Sequence, residues 1–192
     1  METELSTTGL IIIIGVAVIV IVAIAAFIYL RKRRTERLRS QFGAAEYART
    51  VQESGTQRRA EEELEKRKER VAALHIRPLP PGDRDRFIDL WRGVQARFVD
   101  TPGGAVTEAN QLVRDVMAAR GYPVTDFEQR AENISVDHPL VVENYRAAHE
   151  IAVRQARGQA STEDLRQAMV HYRTLFDELL RETEMSREKF AA

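Results

Sequence analysis

The hydrophobic pattern changes period twice along the chain. From Leu10 to Leu30 the sequence LIIIIGVAVIVIVAIAAFIYL holds only apolar residues and glycine, 21 positions with no charge. At about 1.5 Å per residue this makes about 31 Å of helix, enough to cross a bilayer core. Beyond it the apolar residues thin out. In SQFGAAEYARTVQESGTQ only Phe42, Tyr47 and Val51 are large and apolar, and a short helix is expected over 44–53. In RRAEEELEKRKERVAAL the positions Ala60, Leu64, Val71 and Leu74 form a narrow stripe. Thr56 can cap this helix, and Glu62 with Lys66 and Glu63 with Arg67 stand four apart in the favourable order. The stripe predicts a charged, solvated spacer helix packing lightly on the domain, or the start of a coiled-coil seam shorter than three heptads. IRPLPPGD then stops helix formation, because proline removes amide donors and forces extended backbone. The segment 31–83 therefore reads as a connector that ends in a hinge.

After the hinge a fuller helical period takes over, and five amphipathic helices are expected over 84–181. The first carries Phe87, Leu90, Trp91, Val94 and Phe98 on one face. The second opens at Thr101 with Pro102 in its first turn, runs through Ala109, Leu112, Val113, Val116 and Met117, and stops at Gly121. The third begins with a capping box of Thr125 and Glu128 and turns Phe127, Ala131 and Ile134 inward. The fourth repeats the period through Val141, Val142, Tyr145, Ala148 and Ala152 and stops at Gly158. The fifth, capped by Ser161, has the most regular stripe: Leu165, Met169, Tyr172, Leu175, Phe176 and Leu179. No strand pair is apparent. The fold class is all-α: a transmembrane helix over 10–30, a charged helical connector, a small bundle over 84–181, and a flexible tail over 182–192.

Charge gives the span an orientation. Residues 1–9 hold Glu2 and Glu4 and no basic residue, whereas Arg31, Lys32, Arg33, Arg34, Arg37 and Arg39 against Glu36 give +5 directly after the span. The positive-inside rule places the C-terminal side in the cytoplasm and the N-terminus outside. The competing reading is a cleaved signal peptide. It suits the small residues Ala23 to Ala26, but the leader lacks a basic n-region and the apolar run is longer than a usual h-region. The six basic residues are also candidate contacts to anionic headgroups. Gly15 has no small partner four positions on, so no GxxxG dimer face is present.

Net charge over the 192 residues is zero, and from Ser40 onward 23 basic residues face 26 acidic ones. Nucleic acid is therefore a poor fit for the part after the span. Cysteine is absent, which excludes disulfides, thiolate metal sites and cysteine nucleophiles. Phosphate-binding, zinc-protease, nucleophile-elbow and EF-hand spacings are missing too, so no catalytic residue, metal or cofactor is expected.

The chemistry that remains lies around ISVDHPLVVENY. Here Asp137 and His138 adjoin, with Tyr145 and His149 further along. One reading makes Asp137 and His138 a functional pair, in a sensor or enzyme site with Tyr145 and His149. The other makes the stretch a corner between two helices, with Ser135 or Asp137 capping the second and Pro139 in its first turn. His138 and His149 are eleven apart, about 16 Å along a helix, too far to share a metal.

The segments FGAAEY, LHIRPL, WRGVQARFVDTPGGAV, RGYPVTDFEQRAENISVDHPLVVENYRAAH and STEDLRQAMVHYRTLF resemble a family of bacterial single-pass membrane proteins described only as hypothetical, secreted or membrane proteins. The resemblance covers nearly everything after the span and is most specific in DFEQRA and SVDHP. It brings no established activity, so it assigns no site residue. The label "secreted" conflicts with the charge pattern, and the anchor reading is kept. The expectation is a bacterial inner-membrane protein, anchored through 10–30, whose cytoplasmic helical domain is a binding or scaffolding module for a protein partner. A sensor or enzyme and a homo-oligomeric structural protein are the alternatives.

Overall fold

The computed structural model describes the backbone of residues 7–191 and the side chains of residues 14–181. The expected tail, 182–192, has its side chains outside that range. Eight helices and no strand occur among the described residues. The chain divides into two compact units, Met1–Gln41 and Phe42–Ala192.

The first unit is made by α1 (Thr7–Phe42) up to Gln41, the last residue of the helix falling in the second. Its stretch Ile14–Phe42 holds an 18-residue window with a mean hydropathy of 2.6, long and apolar enough to cross a membrane, and none of that window is buried. The helix does not stop at the basic cluster. Arginine, lysine, leucine and glutamate are all good helix formers, and no glycine or proline intervenes between Leu30 and Gly43. Arg33 leans back over the Tyr29 ring at 6.0 Å.

The second unit contains α2 (Ala44–Ser54), α3 (Gln57–Ala72), α4 (Pro81–Arg97), α5 (Pro102–Arg120), α6 (Phe127–Asp137), α7 (Val142–Ala156) and α8 (Thr162–Ala191). It begins at Phe42, so the segment read as a connector is part of it. Gly55, left-handed at φ 73°, closes α2, and the Thr56 hydroxyl accepts the Arg59 amide at 3.4 Å to open α3. The α3 stripe of Ala60, Leu64 and Val71 is buried, covered by α2 on one side and α6 on the other. The helix is thus packed more deeply than the light contact expected of a spacer, and the same residues are unavailable for a seam with a second copy. The periodicity was too sparse to show it, because Glu61 and Arg67 are also buried in α3.

The proline stretch does stop a helix, and Pro81 opens α4. It is a docked strap, however, and not a boundary. Leu79 is buried, Leu74 and Ile76 pack against the core, and the Arg77 amide donates to the Arg120 carbonyl at 2.9 Å. Past the strap, α8 packs on α5 and α7, while α4 packs on α5. Trp91 of α4 stacks on Phe176 of α8 with ring centroids 4.8 Å apart. The α4 face is centred on Phe87, Trp91 and Val94, and this phase turns Leu90 outward, against expectation.

Two helix starts differ from the sequence reading. Thr101 makes no side-chain cap, and its hydroxyl donates to the Arg97 carbonyl instead. Asp126, not Thr125, caps α6, accepting the Gln129 amide at 3.0 Å. Asp126→Ala is therefore expected to lower stability by about 1 kcal/mol. Thr125→Ala leaves the cap intact, and chemical unfolding of the two variants in detergent separates the assignments. Ser161 caps α8 in a closed box: its hydroxyl accepts the Asp164 amide at 3.1 Å and the Asp164 carboxylate accepts the Ser161 amide at 2.9 Å.

Candidate functional site

The ISVDHP corner is built differently from the capping scheme. The helix α6 runs through Ser135 to Asp137 and ends at His138, whose φ of −128° and ψ of 58° are non-helical. The cause is Pro139, since a residue before proline is driven out of the helical region. Ser135 and Asp137 therefore lie in the last turn of α6, and neither caps the next helix. The Ser135 hydroxyl donates back to the Glu132 carbonyl at 2.6 Å, and Asp137 accepts the Tyr122 hydroxyl at 2.8 Å. Pro139 lies in the turn before α7, which starts at Val142 behind Val141 with no side-chain cap.

The four candidate site residues face different surroundings. Asp137 is exposed beside Tyr122, whereas His138 is buried. The His138 ring lies 3.4 Å from Arg120 Nη1 and 3.6 Å from Glu178 Oε1. Arg120 is itself buried and donates to the Leu179 carbonyl at 3.1 Å. His138 thus ties the end of α6 to α5 and α8. Tyr145 is fully buried and accepts Arg130 Nε at 3.0 Å. Burial raises its phenol pKa, while the Arg130 hydrogen bond and charge pull against that rise. Tyr172 is raised as well, by burial first and then by Tyr145. Among the described residues, no three His, Cys, Asp or Glu side chains stand together as a metal site.

His149 stacks on Phe127, with centroids 3.6 Å apart and planes within 10°. Burial lowers its pKa, Arg130 lowers it further, and Glu128 and Glu150 pull it back. Its NMR titration midpoint is expected below the roughly 6.5 of a free imidazole. The unfolded chain then takes up this proton before the folded one does. The stability associated with neutral His149 is complete above about pH 6.5 and declines as the pH falls through that value towards the lowered folded one. A midpoint at or above 6.5 contradicts the assignment.

A buried ionic cluster escaped the sequence reading. The Glu46 carboxylate of α2 accepts Arg67 Nη1 of α3 at 2.9 Å, and Arg146 of α7 at 3.1 Å through Nη2 and 3.3 Å through Nε. All three residues are buried. Arg146 also reaches Glu128 at 2.7 Å, and Arg67 reaches Glu132 at 3.2 Å, so α6 is drawn in as well. Burial pulls the Arg146 pKa down, but Glu46 and Glu128 outweigh it and hold the pKa above its ordinary value. Beside this cluster, the Tyr47 hydroxyl donates to Glu61 at 3.1 Å. Glu46 and Arg146 are 100 positions apart, and no local pattern announces the pairing.

Between α4 and α8 lies a groove of about 380 Å³, floored by Ile88, Trp91, Phe176 and Leu180. A neighbouring recess of about 170 Å³ shares Trp91 and adds Phe98, Met169 and Val170. No family model, curated protein or solved structure matches the chain. Among the described residues the fold is thus all-helical, with one long apolar helix preceding seven others.

Proposed function

We propose that the chain is a membrane-anchored binding module. In this reading α1 spans a bacterial inner membrane with its N-terminus outside, and the second unit lies in the cytoplasm and receives a protein partner. The observation that carries the reading is the apolar stretch of α1: every side chain from Ile14 to Leu30 is exposed. Apolar surface on that scale is stable only in lipid or against another protein. The exposed basic residues Arg31, Lys32, Arg33, Arg34, Arg37 and Arg39 support the orientation, since such clusters stay on the cytoplasmic side. They are also placed to meet anionic headgroups. The α4–α8 groove supports the binding role.

Because the chain has no cysteine, introduced ones report topology directly. Ser6→Cys is expected to react with a membrane-impermeant maleimide in intact cells, and Gln159→Cys only after lysis. The protein should stay with the membrane through an alkaline carbonate wash at its full 21.9 kDa. Release by the wash, a shortened chain, or labelling of Gln159→Cys in intact cells overturns the proposal.

A further inference from the structure

The groove between α4 and α8 exists because both helices lean on α5. Their facing sides are bridged by the stacked Trp91 and Phe176 rings, and a furrow is left above them. The two helices run antiparallel along it: the groove takes Arg84 to Gln95 together with Arg173 to Arg181, and the recess Trp91 to Phe98 together with Arg166 to Arg173. Arg84 to Phe98 is fourteen steps, about 21 Å at the helical rise of about 1.5 Å. This is the length of about four turns of a docked helix.

The chemistry of the furrow is divided between its floor and its rim. The floor is apolar and recessed: Trp91 is 5% exposed, Phe176 2% and Leu180 5%. The rim carries Arg84, Arg92, Arg166, Arg173 and Arg181, with Asp177 as the one acid in the lining. All five of these arginines already touch an acid of their own helix: Arg84 with Asp85, Arg92 with Asp89, Arg166 with Glu163, Arg173 with Asp177 and Arg181 with Glu178. Such exposed pairs hold little energy, so the guanidinium groups remain able to take a second carboxylate. A flat bilayer suits this surface poorly, because membrane insertion needs apolar groups that protrude, whereas Trp91, Phe176 and Leu180 are buried and Val170 is the one exposed apolar residue of the lining.

We propose that the groove binds an amphipathic, acidic helix of a partner protein. Its apolar ridge sits over Trp91 and Phe176, and carboxylates along both flanks meet the arginine rim. This rests on the binding-module reading and names the chemistry of the partner. Trp91 is the only tryptophan in the chain, so its emission reports what enters the furrow.

The test uses the full chain in nanodiscs of neutral phosphatidylcholine. The probe is a tryptophan-free peptide of about 15 residues with leucines at helical spacing and glutamates on the flanks. It is expected to bind and shift Trp91 emission. A control with lysine in place of each glutamate should bind at least about tenfold more weakly. Arg173→Glu should weaken the acidic peptide by about tenfold, and Arg92→Gln should weaken it less. Arg58→Glu, on exposed α3 surface, should change nothing. Unfolding curves show whether each variant is folded, and Arg92→Gln carries the comparison if Arg173→Glu is not. Equal binding of the two peptides, an unmoved emission, or a Trp91 shift produced by anionic phosphatidylglycerol vesicles in place of the peptide each overturns the proposal. Cysteine labelling tests placement and the peptide tests the groove, so either can fail alone.

Discussion

Glu46→Ala is expected to lower the stability of the second unit by about 3 to 5 kcal/mol, among the largest losses a single substitution here can produce. The carboxylate stands between Arg67 and Arg146, all three are buried, and removing it leaves two buried cations facing each other with only the more exposed Glu63, Glu128 and Glu132 as counter-ions. Glu128 and Glu132 reach the same arginines from α6, but Glu128 is largely exposed and offsets little. Glu46→Gln keeps the shape and one acceptor, and should fall between wild type and alanine. Replacing Glu46, Arg67 and Arg146 together by apolar residues of similar size should recover most of the loss, since the desolvation of the three charges goes with them. Denaturant unfolding of the single, double and triple variants measures the coupling. If Glu46→Ala costs no more than an exposed ion pair, under about 1 kcal/mol, the cluster does not hold α2 and α3 to α6 and α7.

The second large effect belongs to Gly121. It closes α5 in the left-handed region at φ 99°, and a Cβ there would stand 2.5 Å from the His75 carbonyl oxygen. Backbone cannot yield as a flexible side chain can. Gly121→Ala therefore combines left-handed strain with overpacking, about 2 to 5 kcal/mol in all. Gly158→Ala is the internal control. Its φ is 69° and nothing lies within 4 Å, so it should show the strain alone, about 1 to 2 kcal/mol. The difference between the two measures how firmly the strap is docked, and amide exchange at Arg77, bonded to the Arg120 carbonyl, should quicken in the first variant only. Equal costs would mean that the strap is not held at that end.

These two sites show where local reading stops. Gly121 was legible as a helix end, because glycine relieves the left-handed turn and Pro123 follows it. That His75 crosses just above it was not, because the strap returns from 46 positions upstream. The Asp137–His138 pair attracted attention through its residue types alone. Its actual environment depends on Pro139 ending α6 and on Arg120, Tyr122 and Glu178 arriving from other elements. Glu46, by contrast, looked like one more charge in a polar stretch. Its burial follows from packing α2 against α3 and α7, a contact that no periodicity encodes.

The sequence by itself determined the properties that depend on neighbours along the chain. Uncharged length made α1 a helix fit to cross a membrane, prolines and glycines set where helices stop, and the period of Leu165, Tyr172, Phe176 and Leu179 made α8 the helix that α5 and α7 pack on. Only the tertiary structure decided that α2 and α3 belong to the second unit, that a carboxylate and two arginines lie buried in it, and that α4 and α8 leave an arginine-rimmed furrow. The reason is physical: helix formation is a local balance of propensity and capping, whereas burial of a charge or the opening of a groove depends on which distant surfaces exclude water from the same place.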